Sequence, residues 1–303
     1  MKRKIRFPII IIILCFFSGY GQAQFLTPAQ VNALPVTPPD NVFSYGDDPL
    51  QFGELRLPRG KGPHPVVIVI HGGCWLSKFA SLKNTAPISS AIPKLGIATW
   101  NIEYRRVDNQ GGGWPGTFQD VARAVDFLKN IASRYNLDLN QVITMGHSAG
   151  GQLALWAASR NQIPEGGVLH RPNPLKISGV VALSAAVDLK SLLKSEQLVC
   201  GDRVISKLLG GTPDEAPRRY KICSPIETLP LGIPQILIVG EFDIPDLKET
   251  GLKYRDLAHK SGDHAQLFII KKASHHEAVA PGSVAWPTVK NSIIQLLKTS
   301  DGI

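Results

Sequence analysis

Val142-Ile143-Thr144-Met145-Gly146-His147-Ser148-Ala149-Gly150-Gly151 decides the fold. Its first four residues are an apolar, partly β-branched run of the kind that forms a buried strand. Gln152-Leu153-Ala154-Leu155-Trp156-Ala157-Ala158 then reads as a helix. Gly-x-Ser-x-Gly lies between them, so Ser148 is expected on a sharp strand-to-helix turn with its hydroxyl at the top of a sheet. Gly146 and Gly150 lack the side chains that would keep strand and helix apart. The helix N-terminus at this point favours negative charge. Taken alone, the motif is equally compatible with a serine that only caps the helix.

The flanking sequence repeats the same alternation. Pro65–Ile70 is a continuous apolar run that ends abruptly in His71-Gly72-Gly73-Cys74-Trp75. Ile97–Tyr104, Ile177–Val187, Pro234–Gly240 and Gln266–Lys271 read as further strands, and Leu50–Leu57 alternates. Phe118–Tyr135 has helical apolar spacing, Asp246–Lys260 and Val284–Lys298 suit helices, and Thr85–Leu95 is weakly helical. Apolar strand runs alternating with helices predict an α/β fold, with a mostly parallel central sheet covered by helices on both faces. Lys190–Leu231 has no strong period and is expected as a small cap-like insertion over the sheet end. Asn109–Gly116 is glycine-rich, but no P-loop Lys-Ser/Thr follows, so it reads as a mobile loop.

Length and composition set the frame. With 303 residues, 44% hydrophobic and 19% charged, the chain can bury one large core. Residues 1–23 differ: Lys2, Arg3, Lys4 and Arg6 precede the apolar run Phe7–Phe17, and Gly21-Gln22-Ala23 offers small residues for cleavage. That run of 11 residues is short of the ~20 needed to span a bilayer. A secretory signal peptide is expected, giving an exported protein, periplasmic or secreted, with no stable membrane anchor after cleavage. Residues 24–42 read as an extended lead-in and 43–303 as the main domain. Cleavage lowers the net charge from +9 to +5, and no long basic run suggests a nucleic-acid partner. Export leaves Cys74, Cys200 and Cys223. Cys200 and Cys223 flank one segment and are the expected disulfide, with Cys74 left over; two buried free thiols are the alternative.

A serine hydroxyl needs a base to take its proton, and the base needs a partner to fix its tautomer. In open α/β sheets such groups gather beyond the C-terminal ends of the strands. Asp243 follows the strand ending at Gly240, and His275 follows the strand ending at Lys271. The order Ser148, Asp243, His275 is that of a nucleophile elbow with a following acid and base. His275 is favoured over His276, and Asp243 over Asp246. No third ligand at a familiar spacing makes His275-His276 a metal site. The oxyanion would find donors in the Ala149 N–H and in the His71–Trp75 loop, each worth ~3 kcal/mol in a transition state. Trp75 and Trp114 are candidate walls of a substrate pocket, although either could equally be core packing.

His71-Gly72-Gly73-Cys74-Trp75, Glu103-Tyr104-Arg105-Arg106 and Gly146-His147-Ser148-Ala149-Gly150-Gly151 together resemble the α/β-hydrolase superfamily. The branch is similar to kynurenine formamidase-like and hormone-sensitive-lipase-like esterases and lipases. Gly240-Glu241-Phe242-Asp243 resembles its acid loop, and Ser274-His275-His276-Glu277 its histidine loop. The resemblance implies an α/β-hydrolase fold, triad roles for Ser148, Asp243 and His275, and oxyanion donors at Gly73, Cys74 and Ala149. Two departures stand out: Cys74 replaces the third glycine of a His-Gly-Gly-Gly motif, and Ser274 replaces the usual glycine before the histidine. The expectation is a serine esterase working through an acyl-enzyme without metal or organic cofactor. Its substrates would be short-chain, acetyl or feruloyl esters of small molecules or carbohydrates. An arylformamidase, amidase or peptidase activity, or a non-catalytic binding role, is the alternative.

Overall fold

Residues along each central strand point alternately into two apolar layers, which is why the sequence shows unbroken apolar runs there. In strand β3 (His64–Ile70), Val66, Ile68 and Ile70 join one core while Val67 and Val69 join the other. The computed structural model describes residues 25–298, so the signal peptide expected over 1–23 lies outside the described residues. The other strands are β1 (Asn41–Ser44), β2 (Phe52–Arg56), β4 (Ala98–Ile102), β5 (Leu137–His147), β6 (Gly179–Leu183), β7 (Gln235–Gly240) and β8 (Ala265–Ile270). They form one eight-stranded sheet in the order β1-β2-β4-β3-β5-β6-β7-β8. The β1–β2 and β2–β4 pairings are antiparallel, and the remaining pairings are parallel. This is the mostly parallel sheet of an α/β-hydrolase.

Helices α3 (Gly116–Tyr135), α4 (Ala149–Ala158) and α9 (Pro245–Lys260) bury Val125, Leu153 and Tyr254 in the first core. Helices α1 (Pro28–Asn32), α2 (Ala86–Ala91) and α10 (Trp286–Lys298) bury Val31, Ile88 and Ile293 in the second. Each such side chain, once dry, contributes ~1.5–3 kcal/mol of transfer free energy. Trp100 on β4 is fully buried and donates its indole N–H to the Ala124 carbonyl at 2.8 Å, fixing α3 against the sheet. Four short helices separate β6 from β7: α5 (Leu189–Leu192), α6 (Glu196–Cys200), α7 (Val204–Leu209) and α8 (Pro217–Cys223). They occupy the expected insertion and cover the C-terminal end of the sheet.

One region departs from expectation. The lead-in 24–42 is not extended throughout, because Thr27 and Gln30 form a capping box around Pro28, and buried Val31 anchors the resulting turn of helix. Its last two residues already belong to β1. The glycine-rich 109–116 segment is a tightly turned loop: a Cβ on Gly112 would sit 1.8 Å from the Arg106 carbonyl oxygen.

The elbow depends on bare backbone. A Cβ on Gly150 would lie 2.2 Å from the Ile70 carbonyl oxygen and 2.3 Å from that of His71. Backbone cannot yield as a side chain does, so Gly150→Ala should destabilise the fold by ~3 kcal/mol or more. Urea unfolding monitored by tryptophan fluorescence will show the shifted midpoint, and an unchanged midpoint would contradict this packing.

Candidate active site

Ser148 follows the last residue of β5 and precedes α4, and its backbone is driven to φ 54°, ψ −118°. Its N–H donates to the Leu183 carbonyl at 2.8 Å, and its own carbonyl accepts from Gly151 N–H at 3.0 Å. The turn is therefore held from both sides. The Ala149 N–H, first in α4, has no acceptor within its helix.

Asp243 lies on the loop after β7, where Phe242 N–H bonds the Ala273 carbonyl at 2.9 Å and ties the acid loop to the base loop. Its buried carboxylate accepts three donors: His275 Nδ1–H at 2.7 Å, Ile244 N–H at 2.7 Å, and the Ser184 hydroxyl. Burial alone would raise the Asp243 pKa. The hydrogen bond and charge of His275, with the Ser184 and Ile244 bonds, outweigh burial and hold it at about 2. Ser184 was not singled out from sequence, although it stands directly after the β6 run, in the same strand-end position as the other site residues.

His275 is half-buried and sits beside two more imidazoles. Its ring centroid is 4.5 Å from that of His147 and 5.1 Å from that of His276. His147 Nε2–H donates to the His275 carbonyl at 2.9 Å, so the residue preceding Ser148 also grips the base loop. Burial, then the neighbouring imidazoles, push the His147 pKa well down and keep it neutral. The same causes bring His276 down to about 4. Among the described residues His276 Nδ1 is buried without a hydrogen-bond partner, so His275 and not His276 engages the acid. Asp246, the second candidate acid, instead faces Lys194 at 3.5 Å. Among the described residues the Ser148 hydroxyl and His275 make no hydrogen bond to each other; a nucleophile–base bond of this kind often forms only when substrate binds.

The base loop has a further anchor. Glu277, buried, accepts Ser274 N–H at 2.8 Å on one oxygen and Leu26 N–H at 2.7 Å on the other. Phe25 packs on Phe242 with ring centroids 5.2 Å apart, so the chain's first described residues touch both the acid loop and the base loop.

The His71–Trp75 loop stands on a second buried carboxylate. Glu103 Oε1 accepts from His71 Nε2 at 2.8 Å and Arg106 at 3.0 Å, while Oε2 accepts Leu82 N–H at 3.1 Å. Burial opposes ionisation of Glu103, but His71, Arg106 and the Leu82 N–H win and lower its pKa. The His71 ring also stacks on Tyr104 with centroids 4.3 Å apart.

A cavity of about 50 Å³ adjoins Ser148. Cys74, Trp75 and Ala149 line it from the sheet side, and Leu192, Val199, Cys200 and Ile205 from the cap. Gly73 does not line it, so of the three expected oxyanion donors only Cys74 and Ala149 border the cavity. Trp75 is a wall, as expected, and its indole N–H donates to Gln152 at 3.2 Å. Trp114 is not: it lies under Arg219, edge-on to Phe118, and lines a separate groove. The expected Cys200–Cys223 disulfide is also corrected. Cys200 pairs with Cys74, 126 residues away, at a Cα separation of 5.8 Å, and Cys223 is a buried free thiol. Cys223 closes α8, where Gln152 bonds its carbonyl, whereas Cys200 ends α6 directly over the loop that carries Cys74. Sequence adjacency did not foretell which cysteine faces that loop.

Sheet, elbow and strand-end loops define an α/β-hydrolase of the esterase/lipase group. Residues 54–244 match the BD-FAE family model, and the chain belongs to that family. A probable isoprenylcysteine alpha-carbonyl methylesterase of rice (Oryza sativa) is 26% identical over 245 residues, covering 74% of this chain and 58% of that protein. The chain thus spans a little over half the length of that relative. Esterase B of Lactobacillus rhamnosis superposes with a TM-score of 0.72 at 21% identity, over 90% of this chain and 89% of that one. A truncated carbohydrate esterase from gut microbiota gives 0.69 at 20% identity, over 86% and 99%. At these identities the structural likeness establishes the fold.

Two expectations follow from the buried carboxylates. Asp243 has a folded pKa below its unfolded value of ~3.9, so its contribution is complete above about pH 4 and is lost as pH falls toward 2, on the order of 2 kcal/mol. Unfolding free energies measured from about pH 5 to 2 should fall less steeply in Asp243→Asn than in the wild type. An identical slope would remove Asp243 from this role. Glu103→Gln leaves His71 and Arg106 facing a neutral amide in a dry site and should destabilise by about 3 kcal/mol or more. Calorimetric melting tests it, and a wild-type melting temperature would count against the network.

Proposed function

We propose that this chain is an exported serine hydrolase that cleaves carboxylic esters through an acyl-enzyme. The observation that carries the reading is the Asp243–His275 hydrogen bond of 2.7 Å, set beside a serine forced into a left-handed turn at a helix N-terminus. Ser148 Oγ attacks the ester carbonyl while His275 Nε2 takes its proton. Asp243 holds Nδ1–H and stabilises the imidazolium that forms. The carbonyl oxygen, now negative, is met by the Ala149 N–H and by an amide of the Gly73-Cys74 loop. Collapse expels the alcohol, to which His275 returns the proton. A water activated by the same imidazole then releases the acid and restores Ser148.

The substrate reading covers acetyl, other short-chain or feruloyl esters, with small-molecule or carbohydrate alcohols. The names of the rice methylesterase and the gut carbohydrate esterase support ester chemistry on this scaffold. Export is supported by the basic and apolar start of residues 1–23, and by the Cys74–Cys200 disulfide, which suits an oxidising compartment.

Ser148→Ala should abolish labelling by a fluorophosphonate probe and lower kcat on p-nitrophenyl acetate by about 10³-fold or more, with Asp243→Asn losing about 10⁴-fold. Retained labelling in Ser148→Ala, or amides turned over faster than every ester tried, would overturn the esterase reading.

A further inference from the structure

We propose that the Cys74–Cys200 disulfide is the specificity-determining wall of the acyl pocket, and that it restricts the enzyme to esters of short, linear acids. The inference rests on the esterase reading above and adds which half of the ester enters the cavity and what limits its size.

The orientation follows from the lining. The described residues around the cavity include Ser148, Cys74 and Ala149 but not His275. The leaving alcohol must lie against His275, because that imidazole returns its proton. The cavity therefore receives the other half of the ester, the acyl chain, which extends from the carbonyl carbon away from His275. Its walls are largely apolar, as a hydrocarbon chain requires: Trp75, Ala186, Leu192, Val204, Ile205 and Leu247. Two polar residues of the cap also line it: the Ser195 hydroxyl donates to the Leu192 carbonyl at 3.4 Å, and Glu196 is engaged with α7, its carboxylate accepting the Ile205 N–H at 2.7 Å.

Size sets the limit. A volume of about 50 Å³ holds roughly four groups of water size at ~10–15 Å³ each. An acetyl to butyryl chain fits. An octanoyl chain or a hydroxycinnamoyl group does not, so the feruloyl esters within the broader reading are excluded while the wall stands.

The wall is α6, held over the cavity by one covalent link and by buried Glu196, whose carboxylate accepts the Ile205 N–H of α7. α6 has five residues, and Gln197, Leu198 and Val199 are exposed, Leu198 to 91%. Nearby, Lys194 reaches Asp246 at 3.5 Å, but Lys194 is exposed, and such a pair contributes little. Cys200 closes the helix and is bonded to Cys74 on the oxyanion loop, and both cysteines line the cavity. Cys74 supplies the other half of this staple. Cleaving it frees α6 to move outward and extends the cavity.

The test is an acyl-chain series of p-nitrophenyl acetate, butyrate and octanoate, together with methyl ferulate, on oxidised wild type, on wild type held in dithiothreitol, and on Cys200→Ala. Oxidised wild type should favour acetate over octanoate in kcat/KM by about 100-fold, and either means of opening the link should raise the octanoate-to-acetate ratio about tenfold or more. Dithiothreitol supplies the two electrons and two protons that convert the disulfide to two thiols, and Cys223, already a thiol, is unaffected. The reduced wild type keeps the test valid if Cys200→Ala does not fold. A ratio unmoved by reduction, or ready turnover of octanoate or methyl ferulate by the oxidised enzyme, overturns the proposal. Fluorophosphonate labelling of the same samples separates the two readings. Labelled protein with a flat chain-length profile defeats the size limit alone, whereas no labelling and no ester turnover defeats the esterase reading and this inference with it.

Discussion

The close approach of α4 to the end of β5 is the constraint on which the rest depends. A non-glycine residue at φ 54° costs on the order of 1–3 kcal/mol and persists only where its surroundings leave no alternative. Here the surroundings are the bare backbones of Gly146 and Gly150, the Leu183 carbonyl and the strand β3 behind them. The strain is not confined to Ser148. Cys74, Trp75, Ser184 and Lys272 also have positive φ, so five of the seven such non-glycine residues among the described residues lie on loops leaving β3, β5, β6 and β8 at their C-terminal ends. The other two, Asn136 and Asn173, precede β5 and β6. One end of the molecule concentrates unfavourable backbone, and the two-sided core beneath it supplies the stability that tolerates it.

Two buried carboxylates organise what that strain positions. Asp243 collects the imidazole of His275, the Ser184 hydroxyl and the Ile244 amide. Glu103 collects His71, Arg106 and the Leu82 amide beneath the glycine loop. Each stays ionised against the pull of burial because its partners are cationic or donate hydrogen bonds, and each fixes a loop without itself bordering the cavity. The division of labour is plain in space: one carboxylate orients His275, the other the His71–Trp75 loop.

The sheet was legible because strands covered on both faces need apolar residues at every position, and Pro65–Ile70 or Gln235–Val239 can serve little else. The candidate site was legible because its members stand directly after those strands. What escaped was short, polar or dependent on distant packing. β1 has four residues and half of them are exposed, so its pairing with β2 leaves only a faint pattern. The first half of β5, Leu137–Gln141, is largely polar and became a strand through its neighbour rather than its composition. The Cys74–Cys200 link depends on where an irregular cap comes to rest, which spacing along the chain does not encode. Trp114 illustrates the converse: it stood as a candidate pocket wall, but Arg219 lies over its ring and Phe118 packs edge-on to it.

The bond between Leu26 and Glu277 joins residues 251 positions apart. Synthesis runs from the amino end, so Leu26 leaves the ribosome 251 residues ahead of its acceptor. The loops bearing Asp243 and His275 therefore gain this support only after all eight strands of the sheet have been made. Maturation of this corner comes late relative to the sheet beneath it, whatever the order in which the strands assemble.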